Sequence, residues 1–424
     1  MNKKLGLAVA GALLAASASA QAGITIPAGD WTVDIGGVVN AYYTTTSFSG
    51  DDATAGSRGN GKSVNNITTG LLPNYLAVSG KSRQNDLDVG FTISINPGAS
   101  TTQAGIQSAQ QENRQAFLTL GDASWGSVKL GKDLGVYASD AILNDMTLLG
   151  VGSAAGSLAG NTTTLGRIGR GFMYADWKAQ VAYTTPNWNG FQATVAVTQG
   201  WNALSAGLDT VNSSGVTTAV GSAGSTERSG NSPAFEAKAS YAWTGDVAGK
   251  VWASAISQKV EGLTSAMTAA ASGGSAIADS VTSTSDRATA WDLGAHVDVA
   301  GFGLTGYYGK GKGIGQTVQL LNGFDANGKR RDSDNWYVQG TYALPTATKL
   351  GVAYGESTLD GNRADGFKDI EANMWTVGAY HPITKSVNLV AEYSVAKDKV
   401  DSRTAGADTD LKAKTVSLGA ILFF

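Results

Sequence analysis

Cysteine is absent from this 424-residue chain, proline occurs only 7 times and histidine twice. Without thiols, disulfide stapling and thiolate chemistry are both closed to it. With two imidazoles and no cysteine, no third imidazole or thiolate is available to complete a zinc ligand set. The scarcity of proline, beside 56 glycines, argues against a disordered proline-rich chain and for many turns and small strand positions. Past the N-terminus there is no uncharged apolar run near the roughly 18 residues that a membrane-spanning helix requires. No linker or composition shift divides the chain, although its length would suit two or three soluble domains.

The two ends carry what is present. Met1-Asn2-Lys3-Lys4 is basic, residues 5–16 are apolar, and Ala18-Ser19-Ala20 or Ala20-Gln21-Ala22 supplies small residues for cleavage. Residues 1–22 therefore read as a signal peptide, and 23–424 as the exported, mildly acidic protein. The other end reads Leu418-Gly419-Ala420-Ile421-Leu422-Phe423-Phe424, with Phe424, Leu422, Ala420, Leu418 and Val416 on one apolar face. A soluble protein gains little from such an end. The last strand of a closed barrel in lipid needs it.

Between the ends, segment after segment alternates. Leu87, Val89, Phe91, Ile93 and Ile95 oppose Asp88, Gly90, Thr92 and Ser94; Trp291, Leu293, Ala295, Val297 and Val299 oppose Asp292, Gly294, His296 and Asp298. Residues 235–243 and 387–395 behave alike, with Glu236, Lys238 and Glu392 on the polar side. A charge facing lipid near mid-membrane costs about 2–4 kcal/mol, so the charged faces must line a wet lumen. Short turns are expected at 84–86, 121–126, 186–190, 245–247, 300–301, 344–348 and 382–385. Long polar loops alternate with them, among them 47–70, 200–232, 261–286 and 315–332. The fold class expected is all-β, a transmembrane antiparallel β-barrel of about 16 strands with both termini at one rim. Tyr42, Tyr43, Trp188, Phe191, Trp243, Phe302 and Tyr308 are candidates for interfacial aromatic girdles. A soluble β-sandwich array would leave the oily faces unexplained.

One loop differs. Residues 133–168 carry Leu134, Val136, Tyr137, Ile142, Leu143, Met146, Leu148, Leu149 and Val151, which a solvated loop has no use for. They are expected to pack inside the barrel as a constriction. In the preceding strand Arg114 shares its alternation with Ala116, Leu118 and Leu120, so all four are expected to face the lumen under that loop.

These residues lead to a resemblance. Asn113-Arg114-Gln115-Ala116-Phe117-Leu118-Thr119-Leu120 with Gly126-Ser127-Val128-Lys129-Leu130-Gly131-Lys132 resembles the porin strand pair before the constriction loop. Leu143-Asn144-Asp145-Met146 resembles the acidic loop tip. Leu165-Gly166-Arg167-Ile168-Gly169 and Tyr183-Thr184-Thr185-Pro186 resemble the return to the wall. Over essentially the whole mature chain the layout is similar to the trimeric sixteen-stranded porins of Gram-negative bacteria. The resemblance implies a homotrimer in outer-membrane lipid, passing small hydrophilic solutes and ions by diffusion. It implies an eyelet in which Arg114 and Arg167 on the wall face Asp145 on the loop. A third wall arginine is replaced by Tyr75 (or Asn74, depending on register), and a second loop acid falls near Leu149. Asp140, Lys129, Lys81 and Arg170 are candidates to restore the balance. An opposed pair of charges would order water in the neck and slow apolar solutes. Alternatively, Arg114 and Arg167 anchor the loop through ion pairs, a role compatible with the first.

Catalysis finds little support. His296 shares an inward face with Asp292 and Asp298, which reads as lumen lining more readily than as an acid–base or metal cluster. Gly309-Lys310-Gly311-Lys312-Gly313 lacks the strand–loop–helix context of a phosphate loop. Lys329-Arg330-Arg331, mixed with Asp325, Asp332 and Asp334, reads as mixed surface and not as a nucleic-acid patch. No cofactor is expected. The readings left open are a passive channel, a substrate-selective and anion-preferring channel, and a plugged barrel with an enzymatic or adhesive role.

Overall fold

A computed structural model describes residues 23–50, 63–100, 111–153, 163–205, 221–264 and 284–424, with backbone alone at 210–211 and 217–218. The signal peptide expected over 1–22 lies outside the described residues.

Sixteen antiparallel strand lines close on themselves. The first eight are β1 Trp31–Gly50, β2 in two pieces (Ser63–Thr68 and Tyr75–Gln84), β3 Leu87–Pro97, β4 in two pieces (Gln111–Glu112 and Ala116–Asp122), β5 Gly126–Leu134, β6 Trp177–Thr184, β7 Phe191–Thr198 and β8 Ala234–Trp243. The remainder are β9 Val247–Thr264, β10 Thr284–Val299, β11 Phe302–Lys312, β12 Asp332–Ala343, β13 Lys349–Asp360, β14 Phe367–Pro382, β15 Val387–Ser402 and β16 Thr409–Phe423. Closure runs from Val38 opposite Phe423 to Gly50 opposite Leu411. A short segment, Ile24–Ala28, pairs with the start of β1 where β16 ends, and Gly37 and Phe424 exchange backbone hydrogen bonds of 2.8 and 3.1 Å. Strands β1 to β16 thereby close into a ring with partners on both sides, which a strand sheet in lipid requires.

Period-two alternation decides which side faces lipid. Leu87, Ile93 and Ile95 on β3, Trp291 and Leu293 on β10, and Val416, Leu418 and Leu422 on β16 all point outward and are exposed. Their alternates, Thr92, Ser94, Asp292, Thr415 and Ser417, are buried inside. Near the tight turns, outward aromatic rings pair as an interfacial girdle: Trp188 stacks on Phe191 at 6.1 Å, and Phe302 meets Tyr342 at 4.4 Å. Tyr42 is a correction: it points inward, fully buried, and donates to the Leu149 carbonyl at 2.8 Å. The turns follow simple chemistry. Asn85 and Asp86 both take positive φ (48° and 63°), as a two-residue turn matched to strand twist requires.

The strand leading into the constriction departs from expectation. Leu118 and Leu120 face outward, not into the lumen with Arg114. Alternation breaks at 113–115, because Arg114 and Gln115 are both buried. Here side chains of β3 replace ladder partners: the Arg114 backbone N–H donates to Asn96 at 3.4 Å and that of Gln115 to Ser94 at 3.2 Å. An extra residue shifts the parity.

Residues 135–153 and 163–168 fold into the barrel, as their apolar content requires. They form α1 (Ser139–Asn144) and a 3₁₀ turn (Met146–Leu149) that Asp145 caps by accepting from the Thr147 backbone at 3.2 Å. Val136, Tyr137, Ala141, Ile142, Met146 and Val151 are buried among wall residues. Backbones come close where no side chain intervenes: a Cβ on Gly70 would lie 2.2 Å from the Gly150 carbonyl. A second segment also packs inward. Within the stretch expected as a polar loop, Val318, Leu320 and Phe324 are buried, as is Ile314 just before it, and Gln319 donates to the Tyr174 and Ala175 carbonyls at 3.1 Å. Arg331, read from sequence as mixed surface, is fully buried. It grips Asp365 at 2.6 and 2.9 Å under the Phe367 ring.

Candidate functional site: a constriction between loop and wall

The infolded loop is tied to one side of the barrel by polar side chains. Glu236 on β8 accepts from the Val136 and Tyr137 backbones at 2.8 Å each and from Lys178 at 2.5 Å. Glu392 on β15 accepts from the Val151 and Gly152 backbones at 2.8 and 2.9 Å and from the Tyr380 hydroxyl at 2.6 Å. Gln339 on β12 accepts from the Met146 backbone at 2.6 Å, and Tyr337 donates to the Ala141 carbonyl at 2.9 Å. Each of these satisfies a loop group that burial removes from water.

The residues expected to form the eyelet separate into two groups. Arg167 and Asp145 come together at 3.3 Å, both side chains 0 % exposed, with Arg167 also donating to the Met374 carbonyl at 2.8 Å. Asp140 is closed off too, capped by Lys250 and by Lys238 at 3.0 Å. Burial raises the Asp140 carboxyl, but the two ammonium groups outweigh it and hold the group below the ordinary carboxylate range. Arg170 makes a two-pronged pair with Asp398, one contact at 2.9 Å, in the lumen wall away from Arg114's partners.

The second group lies along β2 to β6. Arg114 pairs with Glu112 at 2.6 Å and lies over the Trp177 ring at 5.7 Å. Lys129 pairs with Asp133 and sits 4.9 Å over Phe117. Tyr75 lines a cavity of about 80 Å³ between the loop and this wall, together with Arg114, Leu72, Leu143, Leu148 and Trp177. Asn74, the alternative in that register, accepts from the Asn40 backbone at 2.6 Å. Lys81 is exposed in the lumen, 3.9 Å from Asp34. Leu149, where a second loop acid was expected, supplies only its carbonyl to Tyr42.

The His296 face does not assemble as a cluster. His296 bonds Thr305 at 2.8 Å and Asp298 at 2.9 Å, whereas Asp292 accepts from Ser254 and Tyr307. Among the described residues no group of three metal-ligating side chains forms. Sequence reading missed the loop's receptors. Glu236 and Glu392 were visible as inward acids, but nothing in their spacing named the backbone N–H groups they would meet.

A closed barrel with an apolar outer face, and a loop that narrows its bore, defines an outer-membrane channel. The chain belongs to the Gram-negative porin family, whose model matches residues 6–401. Its structure is similar to the outer membrane channel DcaP of Acinetobacter baumannii, with a TM-score of 0.64, 17% identity, and 95% of this chain and 100% of that chain covered. It is also similar to the anion-selective porin from Comamonas acidovorans (TM-score 0.56, 16% identity, 93% and 100% covered). A third likeness is the trimer form of the outer membrane protein OmpT of Vibrio cholerae (TM-score 0.51, 13% identity, 93% and 99% covered). No curated protein sequence matches the chain.

Proposed function

We propose that solutes cross this outer-membrane channel between the infolded loop and strands β2 to β6, and that Arg114 balances the acids there, so that its removal shifts the passage toward cations. One observation carries the reading. Both acids of the infolded loop are capped by cations, Asp140 by Lys238 and Lys250 and Asp145 by Arg167. Arg114 is answered instead on its own wall, by Glu112 at 2.6 Å. Lys129 and Lys81 on the same side of the barrel likewise each face an aspartate. Opposed charge pairs thus line this side, which orders water there without holding a solute. The role is passive diffusion of small hydrophilic solutes and ions, without catalysis. The protein assembles as a homotrimer, the form in which one of its structural relatives was solved.

Reversal potentials across planar bilayers under a potassium chloride gradient test the charge assignment. Arg114→Gln is expected to lower the chloride-to-potassium permeability ratio by at least about twofold. An unchanged potential removes Arg114 from the passage. Cross-linking to a species of three chains tests the assembly.

A further inference from the structure

The outward face of the barrel carries a second set of paired rings toward its long-loop rim. Trp291 meets Tyr308 at 5.7 Å, Trp336 meets Tyr354 at 5.4 Å and Trp375 meets Tyr393 at 5.3 Å. Beyond these rings the outward residues turn from apolar to charged, and lysines there are held by neighbouring acids. Lys259 pairs with Glu261, Lys310 with Asp334 at 3.4 Å, Lys312 with Asp332 at 3.2 Å and Lys399 with Asp401 at 2.6 Å. Lys397 on β15 and Lys412 and Lys414 on β16 break that pattern. They alternate outward with Tyr393, Val416 and Leu418, yet form no ion pair among the described residues. Lys397 and Lys412 stand directly opposite each other in the strand ladder, and Lys414, the next outward residue, has Val395 and Ser47 beside it. The outward acids one step further along the ladder, Glu371 and Asp410, both face Lys399. Like charges set opposite each other destabilise a sheet, and no described side chain offsets this pair.

We propose that Lys397, Lys412 and Lys414 bind the phosphate head of an anionic membrane lipid whose acyl chains lie along Val416 and Leu418. The spacing suits one phosphate. Adjacent strands lie about 5 Å apart and successive outward residues about 7 Å apart, so three long side chains converge on a single group. A phosphate monoester offers three peripheral oxygens to three ammonium groups, where a carboxylate offers two. The charge matches as well. With Asp410 set against them, the three lysines leave an excess of about two positive charges, close to the charge of a phosphate monoester at neutral pH. Position selects a lipid over a soluble anion. Lys397 lies four residues beyond Tyr393, or about 10 Å of barrel height at the usual strand tilt, in the headgroup layer outside the apolar band. Beneath Lys414 the same outward row continues into that band through Val416 and Leu418, 45% and 54% exposed. Cations at the head of an apolar lane fit an amphiphile, charged at one end and oily at the other.

In the test, purified folded protein in dodecyl maltoside micelles is titrated with dioleoyl phosphatidic acid or dioleoyl phosphatidylcholine and followed by native mass spectrometry. Phosphatidic acid is expected to bind about tenfold more tightly, because the choline ammonium of the other lipid cancels its phosphate. Lys397→Gln, Lys412→Gln and Lys414→Gln are each expected to weaken its binding about fivefold, and the triple variant about a hundredfold. Lys310→Gln, at a lysine that already has Asp334, is expected to change it less than about twofold. Folding of each variant is checked by its shift in migration on heating, and the single variants decide the matter if the triple one does not fold. Equal affinity for the two lipids overturns the inference, as do lysine variants that bind phosphatidic acid like the parent. Displacement of the lipid by equimolar inorganic phosphate overturns it in favour of a soluble anion. A triple variant that keeps its lipid but falls apart into single chains overturns it in favour of a contact between copies. Weakening by Lys310→Gln to the same extent overturns it in favour of the general charge of the band. None of these outcomes touches the channel reading.

Discussion

On the side formed by β8 to β16 and β1, the infolded loop meets acceptors and donors: Glu236, Ser254, Gln339, Tyr337 and Glu392 each bond a loop backbone group. On the β2 to β6 side the directed bonds are fewer and run backbone to backbone, Leu71 N–H to the Gly150 carbonyl at 2.9 Å and Thr164 N–H to the Gly70 carbonyl at 3.1 Å, and beside them leucines and aromatic rings line a cavity. The contrast explains why the loop rests to one side of the bore. Buried N–H and C=O groups bind where partners wait, because an unmet one costs about 1–3 kcal/mol. Apolar side chains offer no such directed bond, and their facing surfaces leave the gap. One wall carries the side-chain anchors, and the other is where the passage is proposed.

Breaking the anchor has the largest expected effect. Arg167→Met strands Asp145 without its cation in a fully buried place, a loss of about 3–5 kcal/mol. The folded barrel should convert to its slow-migrating unfolded form at a lower temperature on electrophoresis, with noisier single-channel currents. Unchanged heat stability would show that the pair does not hold the loop. Glu392→Ala comes next. It orphans the Val151 and Gly152 N–H groups, worth about 2–4 kcal/mol together. Conductance should fall severalfold, because the released loop swings toward the β2 to β6 side and narrows the proposed passage. An unaltered conductance would contradict the anchor role.

The smallest effect is reached by pH. The ammonium groups of Lys238 and Lys250 depress the Asp140 carboxyl, so its tether is fully present above the ordinary carboxylate value of 3.8. It is lost only as pH falls through the lower value of the folded protein. Conductance is therefore expected to stay level on acidification to that point and to decrease beneath it. Asp140→Asn should show the decrease already at neutral pH. A step in the wild type well above 3.8 would assign the loop's pH response to another group.

The comparison also marks how far the chain could be read unaided. Alternation placed Glu236, Asp292 and Glu392 inside and Ile93, Leu293 and Leu418 outside, because a strand's side chains must alternate and lipid rejects charge. The apolar content of 133–168 identified the loop that folds inward. The site was less legible. Asp145 and Arg167 were read as candidates for an opposed eyelet pair and for a loop anchor, and their complete burial together is a fact of packing. Leu118 and Leu120 misled because a shift at 113–115 reverses parity, and such a shift leaves no mark in composition. The inward course of 313–331 was hidden by its glycines and polar residues, which resemble those of a solvated loop.

What the amino-acid order determined by itself is therefore periodic and local: strand faces, tight turns, an oily exterior and one loop too apolar for water. What only the tertiary structure decided is which distant groups meet, Glu392 with Val151 and Gly152 or Arg331 with Asp365. The physical reason is range. Alternation and turn chemistry act between neighbours in the chain, whereas a buried polar group is satisfied by whatever the closed barrel brings within hydrogen-bond reach.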